Sequence, residues 1–559
     1  MNAAPASAHA ASSATSPTAS PTAPPAFSRA FHPSSLPSLL GTLACNEVRL
    51  RLRRLSTLVA LFAVIVLSWQ IIVDPNHGTA ILAIKNARVL YTSSALAISS
   101  AMLASPLFAL LGFYLVRGRI GEDLRSGVGS VIAATPVGNG RFLLARWLGG
   151  VAYLGALLLA MLCSIMLLHL VRGDGPLQPA VYLLSYCAVL LPMVFFGVGM
   201  AILFDSIPFM MGKLGDVAYF FIWVWQLSLL SKLEGLSGGM PGSWLLIDFS
   251  GMVSGVMTLQ EHWHSNHLSI GSHNFDPKLT PITLPVMLWS AKLLWLRAAS
   301  ALLALLPLLP AAWLFHRYSP DKVKASHAST RRSPLQVLNQ WLRPLARRVQ
   351  PLFALAARLP GPVGQIVAEV ALTLANSPAS VLVLALSLIA SLFTPSAALP
   401  GLLVPILAFW GVLISDISSR DHSANLEAMT STVVGTAAGG MAGRFWHKLA
   451  ATGVCGLLFM GLIVLRLALA QPFYAAALLS GIFVLSVLAT VLGYLSRTAR
   501  TFLSLFLFWV YVALNAHDIA VIDLVGFNHA INGLALGKHL LLGVLALAGG
   551  WGWLRWRGR

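Results

Sequence analysis

Apolar runs long enough to cross a bilayer recur along this chain, and they leave it few ways to fold. Leu55 to Val73, Ala95 to Val116, Leu148 to Val171 and Leu540 to Leu554 lie near the ~20 residues an α-helix needs to traverse hydrocarbon. About twelve such runs are present, about six on either side of a polar stretch from Arg317 to Gly361. A soluble fold would have to bury an implausible apolar surface, because 57% of the 559 residues are hydrophobic, 10% are charged and the mean hydropathy is +0.79. The expected fold class is therefore an all-α integral membrane protein with about twelve transmembrane helices.

The net charge of +19 would point to nucleic acid in a soluble chain, but the positions of the charges give a better account here. Arg49, Arg51, Arg53 and Arg54 precede the first run, arginines crowd the stretch from Arg117 to Arg146, and Arg317, Lys322, Lys324, Arg331, Arg332, Arg343, Arg347 and Arg348 fill the centre. Arg497, Arg500, Arg555, Arg557 and Arg559 complete the set. In a chain that alternates through twelve helices all of these fall on one side, which is the positive-inside pattern. Both termini and the central linker are expected in the cytoplasm, the lipid bilayer is the expected surface partner, and no nucleic acid is expected. Cys45, Cys163, Cys187 and Cys455 show no metal-ligand spacing and read as packing residues. Residues 1–35, mostly Ala, Pro, Ser and Thr, read as a disordered tail.

One loop occurs twice. The first copy runs from Arg117 and Arg119 through Glu122, Asp123 and Arg125 to Thr135 and Pro136, then to Arg141-Phe142 and Arg146 before an apolar run. The second runs from Arg420 and Asp421 through Glu427 to Thr436, then to Arg444-Phe445 and Lys448. The Arg-to-Thr spacing is the same in both, which implies two bundles of one kind fused head to tail. A segment this long, with apolar and charged residues interleaved, can form short helices parallel to the membrane that offer a surface to a partner. A second feature recurs as well: Asn46-Glu47 with Arg49 in a segment, Leu36 to Leu55, fit to lie in the interface, and Glu369 before the seventh run. The expected organisation is a tail at 1–35, a first half at 36–317, a basic linker at 318–362 and a second half at 363–559, the halves being parallel repeats.

These residues resemble the permease subunits of type-2 ABC transporters. The resemblance rests on the interfacial Asn-Glu helix, the Arg119 to Asp123 loop leading to Thr135-Pro136, and the Arg141-Phe142 entry to the third span. It covers most of 36–317 and, more weakly, 363–559. It implies six spans per half, an elbow helix before the first span, a coupling helix between the second and third spans, and export driven by ATP. It further implies two separate ABC ATPase subunits per chain as partners, docked on Arg119, Glu122, Asp123, Arg125, Thr135, Pro136 and Arg141 and on Arg420, Asp421, Glu427, Thr436 and Arg444. The implied location is the plasma (inner) membrane of a bacterium. In the second copy Ala437 replaces the proline, so its coupling role is expected to be weaker.

ATP itself must be held by the partner, since no phosphate-binding loop is found. Gly533 to His539 has the wrong spacing and no Ser or Thr after Lys538, and Leu236 to Met240 resembles an ATPase signature without any accompanying Walker sequence. No catalytic residue or cofactor of the chain's own is expected. A histidine-rich outside loop, with His262, His264, His267 and His273 near Glu261 and Asp276, is chemistry suited to zinc or copper, though a closed ligand spacing is lacking. Charges inside the runs are few: His169, Asp216, Lys292, Arg297, Asp416 and Arg466 are the main ones, and most can be placed near a boundary where long side chains snorkel. A secondary transporter of the major-facilitator kind, with two six-span halves and a basic central loop, is the alternative, and a metal-binding membrane enzyme or maturation factor is a third.

Overall fold

The computed structural model describes residues 36–74, 78–234, 242–263, 268–315, 318, 344, 347–426, 429, 441–516 and 519–557. The tail 1–35 and most of the linker lie outside the described residues. The first half contains α1 (Leu36–Leu52), α2 (Leu55–Ile71), α3 (Ser93–Val116), the short α4 (Arg119–Arg125) and α5 (Val128–Ala133), α6 (Asn139–Arg172), α7 (Pro179–Ser206), α8 (Lys213–Glu234), α9 (Gly242–Ile247), α10 (Met252–Trp263), α11 (Ala291–Leu303) and α12 (Leu308–Leu314). An amphipathic helix α13 (Gln350–Arg358) follows, and then the second half: α14 (Gly361–Asn376), α15 (Pro378–Phe393), α16 (Leu399–Ile414), α17 (Met441–Ala470), α18 (Pro472–Ser496), α19 (Ala499–Asn515) and α20 (Gly533–Arg557).

Among the described residues, eight helices are long and apolar enough to cross a membrane, or up to ten if two bent pairs each count as one span. This agrees with a multi-pass, mainly α-helical membrane protein. The bent pairs are α1 with α2 and α14 with α15, turned by 76° and 102° respectively. The second bend has a local cause, since Pro378 opens α15 and disfavours the helical conformation at Ser377, whose φ of −129° and ψ of 81° lie outside the helical region.

The core is built from helices that are apolar on every side. In α3, α7 and α18, 72% of the most apolar stretch is buried, as befits helices surrounded by other helices rather than by lipid. Small residues permit the close approach. A methyl on Gly150 of α6 would meet Val198 of α7 at 2.7 Å, and one on Gly411 of α16 would enter the Phe506 ring of α19. Thr92 caps α3 by accepting from the amide of Ala95, and the indole of Trp223 on α8 donates to the Pro106 carbonyl, 2.9 Å away.

The helices define two ends. At one, the basic end, lie the C-terminus of α3, the short α4 and α5, and the first turns of α6, α8, α17 and α19. At the other, part of the expected loop structure is a sheet. Strand β1 (Thr79–Ile84) pairs antiparallel with β2 (Ala87–Arg88) and with β3 (Leu268–Asn274). Lys85 and Asn86, both with positive φ, form the two-residue turn between the first two strands. The sheet joins the first loop of this end to the long histidine-bearing one, and the side chains of β1 from Ala80 to Ile84 are buried on both faces. The all-α expectation is amended by this small element, which alternation in a short apolar run did not separate from helix.

Candidate functional site: a charged belt at the basic end

Glu47 is the centre of the belt in the first half. It sits on α1 five residues before the helix end, where Gly149 of α6 allows close approach: a methyl there would fall 2.6 Å from Glu47 Cβ. Around its buried carboxylate stand Arg51 at 3.6 Å, Arg119 at 3.3 Å and Arg146 at 3.3 Å. Arg119 also pairs with Glu122 at 2.9 Å, and Glu122 takes a two-point hydrogen bond from Arg54 at 3.0 and 2.6 Å. Asp123 is buried, pairs with Arg146 and accepts from the hydroxyl of Tyr318 at 2.7 Å. Burial pushes the Tyr318 phenol up from its ordinary value, with the Asp123 carboxylate acting in the same direction, so it stays the donor. Tyr318 also stands edge-on to Phe142 and Phe315, so the first residue of the expected linker closes over the repeated loop.

The second half repeats this arrangement with fewer charges. Glu369 on α14 faces Arg420 at 3.5 Å, as Glu47 faces Arg119. Arg420 also bonds the Thr373 hydroxyl and pairs with Asp416 at 3.3 Å. Asp421 receives Lys448 at 2.7 Å and Arg444 at 3.4 Å. The partners Asp421 and Arg444 stand 23 residues apart, as do Asp123 and Arg146. In each half, then, the first helix, α1 or α14, grips the arginine that opens the loop, and the loop's aspartate grips the helix that follows it.

Between the halves the belt is continuous. Arg117, whose side chain is fully buried, lies 2.7 Å from Asp216 and 3.6 Å from Asp205, and the Gly118 amide donates to Asp205 at 2.7 Å. Arg500, from the first turn of α19, reaches Asp216 at 3.7 Å and donates to the carbonyls of Arg117 and Met211. Lys213, from the first turn of α8, reciprocates: it donates to the carbonyls of Val412 and Leu413, both at 3.0 Å, and pairs with Asp416 at 2.9 Å. Deeper in, Trp223 of α8 packs edge-on against Tyr511 of α19 with ring centroids 4.7 Å apart. Burial would raise the Asp416 carboxyl, but Lys213 and Arg420 together overcome it and hold the group below the usual carboxylate range. A cavity of about 210 Å³ opens beside this pair, lined by Lys213, Thr373, Asn376, Asp416 and Arg420 among others.

The expected docking residues divide into two sets. Arg125, Thr135, Pro136 and Arg141 are exposed, together with Val128 and Val131, on the outer surface of the loop. Glu122 is half-buried and Asp123 buried, so both acids are engaged within the chain. Asn46 and Arg49 are exposed on α1. Glu427 and Thr436 lie outside the described residues.

Of the charges in the runs, Asp216 lies in the first turn of α8 and His169 in the last turn of α6, while Arg297 lies inside α11; all three are buried and engaged within the chain rather than snorkelling. Asp216 is buried against Arg117, and Arg297 is buried against Asp248, where it donates to the carbonyls of Ala188 and Val189. His169 is also buried, its ring bonded to the Tyr182 hydroxyl at 2.9 Å. Lys292 is exposed at the head of α11. Sequence reasoning passed over Asp205, Asp248, Lys213 and Arg500 as members of a site; an acid at the end of an apolar run was the available signal for Asp205.

His262 sits on α10 with its Nδ1 at 3.0 Å from the Thr258 carbonyl, and His273 lies on β3. His264 and His267 lie outside the described residues. Among the described residues no group of three or more His, Cys, Asp or Glu is placed to hold a metal ion. Comparison with protein-family models, curated proteins and solved structures finds no match to this chain.

Proposed function

We propose that this chain is the membrane-spanning permease of an ATP-driven transporter of the type-2 ABC class, with the ATPase on separate polypeptides and export as its direction. The observation that carries this reading is the repeated clamp, Glu47 on Arg119 and Glu369 on Arg420, which ties an interfacial helix to a loop in each half. A loop that must pass motion from a partner into the membrane needs such a rigid anchor, whereas a plain connector has no use for two.

The reading takes each half as six spans. To reach twelve it counts, besides the eight long helices and the two bent pairs, the two shorter apolar helices Leu399–Ile414 and Ala499–Asn515 as spans, with α1–α2 and α14–α15 as elbow and first span. Lys213 and Arg500 then occupy equivalent places at the start of the fifth span of each half, and their reciprocal contacts support a parallel, pseudo-twofold pairing. The exposed loop surface of Val128, Val131, Pro136 and Arg141 is the docking face for one ATPase, and the basic end is cytoplasmic.

The test is purification of the tagged chain from its native membrane. A P-loop ATPase should copurify in stoichiometric amount, and a cysteine placed at Val131 should crosslink to it. Recovery of the chain alone, with activity that collapses under a proton ionophore and is indifferent to vanadate, would instead favour a secondary transporter.

A further inference from the structure

We infer that the outer face of α1 is a binding surface for anionic phospholipid headgroups, and that only the first half of the protein has one. Arg49 lies in the last turn of α1 and Arg53 one residue past its end, where the Arg53 amide still donates to the Arg49 carbonyl at 3.2 Å and so continues the helical spacing of that face. Leu52 and Leu50 flank them, and Glu47 and Arg51 occupy the opposite, buried face. Arg49 and Arg53 are exposed and have no side-chain partner among the described residues, in contrast to Arg51 and Arg54 beside them, which are paired to Glu47 and Glu122. Leu50 and Leu52 remain 40% and 43% exposed.

The surface continues directly into one suited to acyl chains. Past the bend, α2 leaves Leu58, Val59 and Phe62 more than 60% exposed on a helix that carries no charge. Two free guanidinium groups at the end of an apolar wall fit a phosphate diester at the headgroup level with its tails along α2, and guanidinium forks bind phosphate oxygens in pairs. A zwitterionic headgroup would bring its own cation against the two arginines.

The second half has no counterpart. With Glu369 matched to Glu47, the positions of Arg49 and Arg53 fall on Ala371, which is buried, and Ala375, and α14 contains no basic residue. The inference does not depend on the ATPase reading.

The test is native mass spectrometry of the delipidated full-length protein offered equal amounts of phosphatidylglycerol and phosphatidylcholine with the same acyl chains. The wild type should retain phosphatidylglycerol preferentially. Arg49→Gln with Arg53→Gln should lower that preference roughly tenfold, since each basic side chain near an anionic surface contributes severalfold. Arg49→Lys with Arg53→Lys should keep most of it. Both side chains are exposed, so thermal unfolding should be unchanged; if the double variant fails to fold, the two single variants carry the same comparison. Equal retention of the two lipids by the wild type, an unaltered preference in the glutamine variants, or glycerophosphate binding as tightly as the intact lipid would each overturn the inference.

Discussion

Arg500 donates from Nη1 to the backbone carbonyl of Arg117, 3.2 Å away and 383 residues earlier in the chain. The contact joins the first turn of α19 to the end of α3, and the buried Asp216 lies between the two guanidinium groups. Removing Arg117 would leave two buried carboxylates without their main counter-ion. Arg117→Ala is expected to cost about 3–5 kcal/mol, whereas Arg500→Ala, which leaves Arg117 in place, is expected to cost about 1.5–3 kcal/mol. Thermal unfolding in detergent measures both, and equal small effects would show that the belt does not hold the halves together.

Gly118 offers a backbone route to the same contact. Its φ is +88°, and a methyl there would fall within bonding distance of the Arg500 guanidinium. Gly118→Ala should cost about 1–2 kcal/mol in backbone strain alone and also displace Arg500. Gly121→Ala, on α4 with open space around it, is the matched control and should be neutral or mildly stabilising.

The two acids of the repeated loop should separate. Glu122 pairs with Arg54 where the two side chains are 33% and 40% exposed, so Glu122→Gln should change stability by no more than about 1 kcal/mol. Asp123→Asn removes the charge that faces the buried Arg146 and leaves one amide oxygen to serve both Arg146 and Tyr318, and should cost about 3 kcal/mol or more. A yield and unfolding temperature for Asp123→Asn like those of Glu122→Gln would remove Asp123 from the structural belt.

Asp416 gives the belt a pH dependence of known sign. Its carboxyl is held below its ordinary value in the folded chain, so its contribution is present above the unfolded pKa and is lost as pH falls through the lower, folded one. The stability difference between the wild type and Lys213→Met should thus be full at neutral pH and shrink below about pH 4. A difference constant across that window would mean that the Lys213–Asp416 pair contributes through its carbonyl contacts alone.

Docking should depend on the apolar part of the loop. Val128→Asp with Val131→Asp puts carboxylates on the exposed face without touching the belt, and should cost the proposed ATPase contact about 2 kcal/mol or more while leaving unfolding unchanged. Copurification of the ATPase in normal amount would place the docking face elsewhere.

The sequence by itself determined the helices and their membrane character, because a run of some twenty apolar residues has one low-energy solution in hydrocarbon. It also singled out Arg119 and Arg420, whose spacing to Thr135 and Thr436 is the same, and Glu47 and Glu369, which each precede the first apolar run of a half. Only the tertiary structure decided what these residues touch. Asp123 reads in sequence as a loop charge open to a partner, yet it is buried between Arg146 and Tyr318, because burial depends on which helix packs over it and not on local composition. The reciprocal reach of Lys213 and Arg500 was likewise out of sight, since ion pairs between halves join residues hundreds of positions apart. The small sheet escaped for the same reason: β1 acquires its identity from β3, a partner that no local pattern announces.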